Sequence, residues 1–112
     1  MTIRQWDIVK ARINEQDRDE HPAIVISPPE VCGNPAADKI NVLYCTKLKP
    51  AESVSAHRVY LNSADGLEFK TTANCLFIHT ISRIRARSVV GRVSTPRQHQ
   101  LARRVRELFR FG

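Results

Sequence analysis

Few side chains in this sequence can do chemistry, and they fall into three groups: four histidines, three cysteines and a late run of arginines. His21 stands where a polar stretch, residues 14–21, gives way to the apolar run Ala23-Ile24-Val25-Ile26. Its imidazole titrates near neutrality and could take or give a proton there. Equally, it could do no more than end a loop before Pro22. His57 and His99 have no partner visible in the sequence and read as structural or surface residues. Cys32, Cys45 and Cys75 are odd in number, and no C-x-x-C pair suggests a zinc site or a redox dithiol. Two of them, Cys45 and Cys75, lie in apolar runs, where free cysteine behaves as a small hydrophobe. No glycine-rich phosphate loop, dinucleotide fingerprint, H-E-x-x-H pair or nucleophile elbow is present, so no cofactor or metal is expected.

Charge is the next signal. The net charge of +7 is unevenly placed: nine arginines from Arg83 onward face one acid, Glu107, while the first 82 residues balance at −1 from nine basic and ten acidic side chains. Such a field attracts polyanions, namely RNA, DNA or an acidic protein segment; a solvated basic face is the alternative.

The elements that must position these groups read as short strands followed by one helix. With 112 residues, 42% hydrophobic and 26% charged, the chain suits one folded domain over residues 1–112. It has no secretory signal and no apolar run near the ~20 residues of a membrane helix, which predicts a cytoplasmic protein with no membrane association. Residues 6–13 alternate with period two, the pattern of a strand in which Trp6 belongs to the core. Residues 23–26 are short, apolar and β-branched, as a buried strand is. After Pro28-Pro29 a loop is expected through Asp38, then a third strand over 40–46. Residues 57–61, 67–71 and 75–81 are further strand candidates, with 62–66 and 72–74 as turns, and 88–93 supplies the last. Thr95, Pro96 and Gln98 predict a helix capped by Thr95. Leu101, Val105, Leu108 and Phe109 give that helix one apolar stripe. Short strands at this spacing argue for a compact barrel or sandwich.

The order of the pieces carries a resemblance. Asp7-Ile8-Val9, Glu15-Gln16, the segment from Pro22 to Pro28, the strand 42–46 ending in threonine, and Gly91-Arg92-Val93 before a helix resemble the MazF/PemK/Kid toxins of type II toxin–antitoxin systems. The likeness runs through nearly the whole chain, and its most specific part is Pro22-Ala23-Ile24-Val25-Ile26-Ser27-Pro28. It implies a mainly β (α+β) fold, an SH3-like barrel with a C-terminal helix packed on it, working as a homodimer with single-stranded RNA across its groove. It implies an endoribonuclease that needs no metal, in which a 2′-hydroxyl attacks the neighbouring phosphate, and a cognate antitoxin that neutralises it. The family carries an arginine immediately before the proline; here that position is His21. Thr46 matches the family position where a hydroxyl can donate to the scissile phosphate. Glu15 and Gln16 match loop positions that contact bases. Arg18 could supply the guanidinium missing at position 21, Lys47 and Lys49 could meet the backbone, and Thr80 and Arg83 fall where relatives line the groove. The same resemblance also admits a non-catalytic toxin that poisons DNA gyrase, or a nucleic-acid-binding module.

Overall fold

The computed structural model describes residues 2–12, 14–48 and 57–110; Ile13 and Lys49 lie outside them. Seven strands and two helices follow in the order β1 (Asp7–Ala11), β2 (His21–Val25), α1 (Pro29–Cys32), β3 (Lys39–Lys47), β4 (Arg58–Leu61), β5 (Thr71–Asn74), β6 (His79–Ser82), β7 (Val89–Arg92) and α2 (Thr95–Leu108), with 3-10 turns at Ser63–Asp65 and Arg83–Arg85. The strands form one curled antiparallel sheet, a half-barrel closed by the C-terminal helix, in the order β4-β5-β3-β2-β1-β7. The nine-residue β3 is its spine. One edge of β3 pairs with β2, while the other pairs first with β6, over residues 39–42, and then with β5, over residues 45–47.

Period-two alternation explains how one sheet buries both faces. Ile8, Ile24 and Leu43 form a row across β1, β2 and β3, as do Val9, Ala23 and Tyr44 one position on. The first row joins Cys45, Val59, Leu61 and Ala73 in a core that α2 covers through Leu101, with Val105 and Leu108 at its edge. The second joins Val25, Val42 and Ile81 in a core covered by Ile3, Cys32 and Ala86. A strand covered on both faces reads as a continuous apolar run rather than an alternating one, which is how residues 23–26 and 42–45 look in the sequence.

Four local features differ from the sequence reading. β1 begins at Asp7 because Trp6 takes a left-handed backbone, φ 75°, between hydrogen bonds to Val25 O and from Val93 N. Trp6 is accordingly only partly buried, packed against the core rather than inside it. The stretch after Pro28 is not all loop: Pro29 opens the single-turn helix α1. Residues 72–74 are not a turn but the body of β5, with Thr72 paired to Thr46 on one side and Tyr60 on the other. Thr71 and Thr72 are buried, whereas Phe69 and Phe77 stay exposed at 57% and 58%. The β-branch of threonine suits it to a central strand, and that preference outweighs the turn-like look of the segment. Finally, Ser94 and not Thr95 is the residue before the first turn of α2, held by its backbone N–H on Asp65 Oδ1 at 2.9 Å.

Asp65 is nearly fully buried, and it ties the barrel to the helix. Its carboxylate accepts from Ser94 N and, at 3.0 Å, from Asn62 N, with Arg97 Nε 3.9 Å away. β7 passes close by: a Cβ on Gly91 would sit 2.4 Å from Asp65 O, which only glycine avoids. Asp65→Ala is expected to lower stability by about 2–3 kcal/mol, since two buried backbone donors lose a charged acceptor; the urea midpoint against that of the unaltered protein measures it. No helix among the described residues is long and apolar enough to cross a membrane.

All three cysteines are free and buried. Burial raises each thiol's pKa, taking Cys75 from 9.0 to about 11. Thiolate at Cys75 is then about a hundredfold scarcer near neutral pH than at an unburied cysteine, and it appears as pH rises toward 11. Native protein is expected to resist alkylation near pH 8 at all three positions and to react fully once unfolded in urea. Mass spectrometry of the alkylated protein reads the outcome.

Candidate functional site

His21 opens β2 and Thr46 lies near the end of β3. Their antiparallel pairing runs from Val25–Val42 to Ala23–Tyr44, so His21 and Thr46 each lie two residues beyond its last pair, at the same end of the ladder. The loop before β2 adds a third group. Asn14 Oδ1 accepts from the N–H of Gln16 and of Asp17, and Asp17 Oδ1 accepts from Asp19 N, which folds the loop back on itself. Asp17 Oδ2 then lies 2.8 Å from His21 Nε2, with both side chains mostly sheltered. A carboxylate at this distance fixes the ring and leaves Nδ1 without a partner among the described residues.

Tyr44 walls the site. It meets the His21 ring edge-on at 6.3 Å and the His79 ring at 4.9 Å, and its hydroxyl donates to Arg12 O at 2.8 Å. Burial holds the phenol above its ordinary pKa; Arg85 pulls it down and Asp17 pushes it up. Tyr44 therefore stays neutral and serves as packing and donor.

Thr46 is exposed, and its Oγ1 accepts from Arg58 Nη1 at 3.1 Å. The same nitrogen donates to Thr72 Oγ1 at 3.2 Å. Lys47, on the other face of β3, lies with its ammonium 4.3 Å from the centre of the Phe69 ring. Glu15 is exposed and 3.6 Å from Arg85; Gln16 is exposed, as is Arg18, which has no partner among the described residues. A groove of about 410 Å³ runs between this loop and the segment after β6, with Arg12, Arg85 and Arg87 set against Glu15 and Glu20.

Thr80 and Arg83 are not brought to this place. Thr80 faces Asn41, whose Oδ1 it donates to at 2.7 Å, five residues back along β3 from Thr46 and so about 17 Å away. Arg83 is engaged in the fold: its guanidinium donates to Val31 O, Cys32 O and Ala37 O at 2.9 Å each and to Asn34 O at 3.4 Å, which clamps α1 and the loop after it onto the sheet. Sequence reasoning missed Asp17 and Arg58. Asp17 is four residues before His21, a spacing that carries no signal in a loop, and Arg58 meets Thr46 only through the pairing of three strands.

The model of a family described as PemK-like, MazF-like toxin of type II toxin–antitoxin system matches residues 4–109. Among curated proteins none matches the chain significantly. Solved structures share the fold at low identity. The MazE–MazF complex of Deinococcus radiodurans (Form-II) superposes with TM-score 0.77 at 12% identity, over 100% of this chain and 99% of that one. The Mycobacterium tuberculosis toxin MazF-mt6 gives TM-score 0.75 at 18% identity, over 95% and 98%. An endoribonuclease from a mycobacterial species, bound to its cognate antitoxin, gives 0.75 at 10% identity, over 96% and 92%.

Proposed function

The chain belongs to the PemK-like, MazF-like toxin family of type II toxin–antitoxin systems, and we propose that it is an endoribonuclease that cuts single-stranded RNA without a metal. The observation that carries this reading is the contact of His21 with Asp17 at the start of β2, beside the end of β3 that carries Thr46. Cleavage needs a base for the ribose 2′-hydroxyl and donors for charge gathering on phosphate. Neutral His21 takes the 2′-hydroxyl proton at Nδ1, and Asp17 stabilises the imidazolium that forms. The 2′-oxygen bonds to phosphorus, the bond from phosphorus to the 5′-oxygen breaks, and that oxygen takes a proton from water. A 2′,3′-cyclic phosphate and a 5′-hydroxyl remain. The Thr46 hydroxyl donates to a non-bridging oxygen.

Around this centre, Glu15 and Gln16 are placed on an exposed loop where side chains can read the edges of splayed bases. Arg18 and Lys47 meet the backbone near the cut, and Thr80 meets it farther along β3. Arg83 positions α1 rather than phosphate, since its donors already serve carbonyls. The toxin acts in the cytoplasm as a single-domain homodimer, and an antitoxin with an acidic, apolar segment covers the basic groove. The fold shared with toxins solved beside their antitoxins supports that partner.

Purified protein is expected to cleave single-stranded RNA in EDTA and to leave the ends named above. His21→Ala and Thr46→Ala should each keep the melting temperature and lower kcat by about 10²–10³-fold; Asp17→Asn should lower it less than His21→Ala. Full activity in both alanine variants removes the site. RNA left intact while gyrase supercoiling fails would put the non-catalytic toxin in its place.

A further inference from the structure

The ribonuclease reading gives His21 a proton to take and leaves the charge developing on phosphate without a cation. Arg58, the first residue of β4, stands across β5 from Thr46. Tyr60 faces Thr72 and Thr72 faces Thr46, so β4, β5 and β3 lie side by side and the Arg58 side chain reaches diagonally over the middle strand. Its Nη1 bridges the two threonine hydroxyls at 3.1 and 3.2 Å. Because Arg58 is the donor in both bonds, each threonine keeps its own proton free to donate, and each O–H is polarised by the cation behind its oxygen. Thr72 is buried and cannot swing away. Among the described residues no carboxylate comes within ion-pair distance of Arg58.

We infer that Arg58 and Thr46, with buried Thr72 anchoring the guanidinium from behind, form a phosphodiester-binding cradle, in which Arg58 is the catalytic cation that takes up charge on the non-bridging oxygens during cleavage. The inference rests on the ribonuclease reading of the preceding subsection. A guanidinium carries several donors in a planar fork that matches two phosphate oxygens, so Nη1 can hold the hydroxyls while the remaining donors face the anion. Arg18, the other candidate, lies in an exposed loop without a partner among the described residues and must be ordered when RNA binds. Arg58 is held before RNA arrives, which is what electrostatic stabilisation of a transition state requires.

The test compares the unaltered protein with Arg58→Ala, Arg58→Lys and Thr72→Val on a short single-stranded RNA at saturating concentration. Arg58→Ala should lower kcat by about 10²–10³-fold, the loss seen when one oxyanion donor is removed, with KM changed far less. Millimolar guanidinium chloride should restore part of that rate, and ammonium chloride at the same ionic strength should not. Arg58→Lys should recover little, since a point charge cannot span two oxygens, and Thr72→Val should lose less than Arg58→Ala. Unchanged kcat in Arg58→Ala overturns the assignment. So does a loss of kcat that guanidinium fails to rescue, which would mark Arg58 as a support for β4. RNA left intact by the unaltered protein removes the ribonuclease reading itself, whereas cleavage that ignores Arg58 removes only the cradle.

Discussion

The pairing of β3 on both edges is the constraint from which the site's geometry follows. Its backbone groups are shared with β2 on one side and with β6 and β5 in turn on the other. Both faces of the strand are covered by apolar side chains, Leu43 and Cys45 on one, Val42 and Tyr44 on the other. A register slip of a single residue would exchange those faces and strand the Ile8-Ile24-Leu43 row against the wrong core. The register is therefore fixed by packing, and the positions of His21, Thr46 and Thr72 are fixed with it. None of the three needs a dedicated scaffold; each takes its place from strands whose registers the two cores already hold.

The same structure redistributes the charge. In the sequence the excess of arginine lies after residue 82, yet several of those side chains are engaged in holding the fold. Arg83 clamps α1, Arg92 donates to Gln5 O and Asp7, and Arg97 lies between the Tyr60 ring and Asp65. Arg103 and Arg104 share Glu107 along α2. The cations that face the groove beside His21 come from both halves of the chain: Arg12 from the end of β1, Arg85 and Arg87 from the segment before β7. Net charge along the sequence is a poor guide to where free cations lie, because a guanidinium's several donors make it as useful for capping carbonyls as for binding phosphate.

What could be read in advance follows from the range of the interactions. β2 and β3 were legible because burial on both faces writes itself into consecutive residues, and the helix was legible from Leu101, Val105 and Leu108. The family and with it the fold came from the segment Pro22 to Pro28 and the order of its neighbours. The strand expected over 67–71 lies instead at Thr71–Asn74, because residues 72–74 resemble a turn until strands on both sides bury Thr72; the strand expected over 75–81 overlaps β6 only from His79. Ser94 was missed as the cap because its placement comes from Asp65, which is distant in sequence. Asp17 and Arg58 were illegible for one shared reason: each becomes significant only when a loop or a strand order brings it to a partner. Local sequence carries candidates such as His21 and Thr46; it does not carry the partners that tertiary pairing brings to them.

The two halves of the site sit on opposite edges of β3. The imidazole and carboxylate belong to β2 and its preceding loop; the guanidinium belongs to β4 and is anchored through β5. Neighbouring strands are spaced about 4.8 Å apart, so β5 lies one strand spacing from Thr46 and β4 two, a distance the Arg58 side chain spans. In the proposed mechanism a cation from β4 faces phosphate beyond the threonine and leaves the β2 side to a group that can take a proton. That mechanism assigns to two strands the acid–base chemistry and charge stabilisation that a single arginine would have to combine.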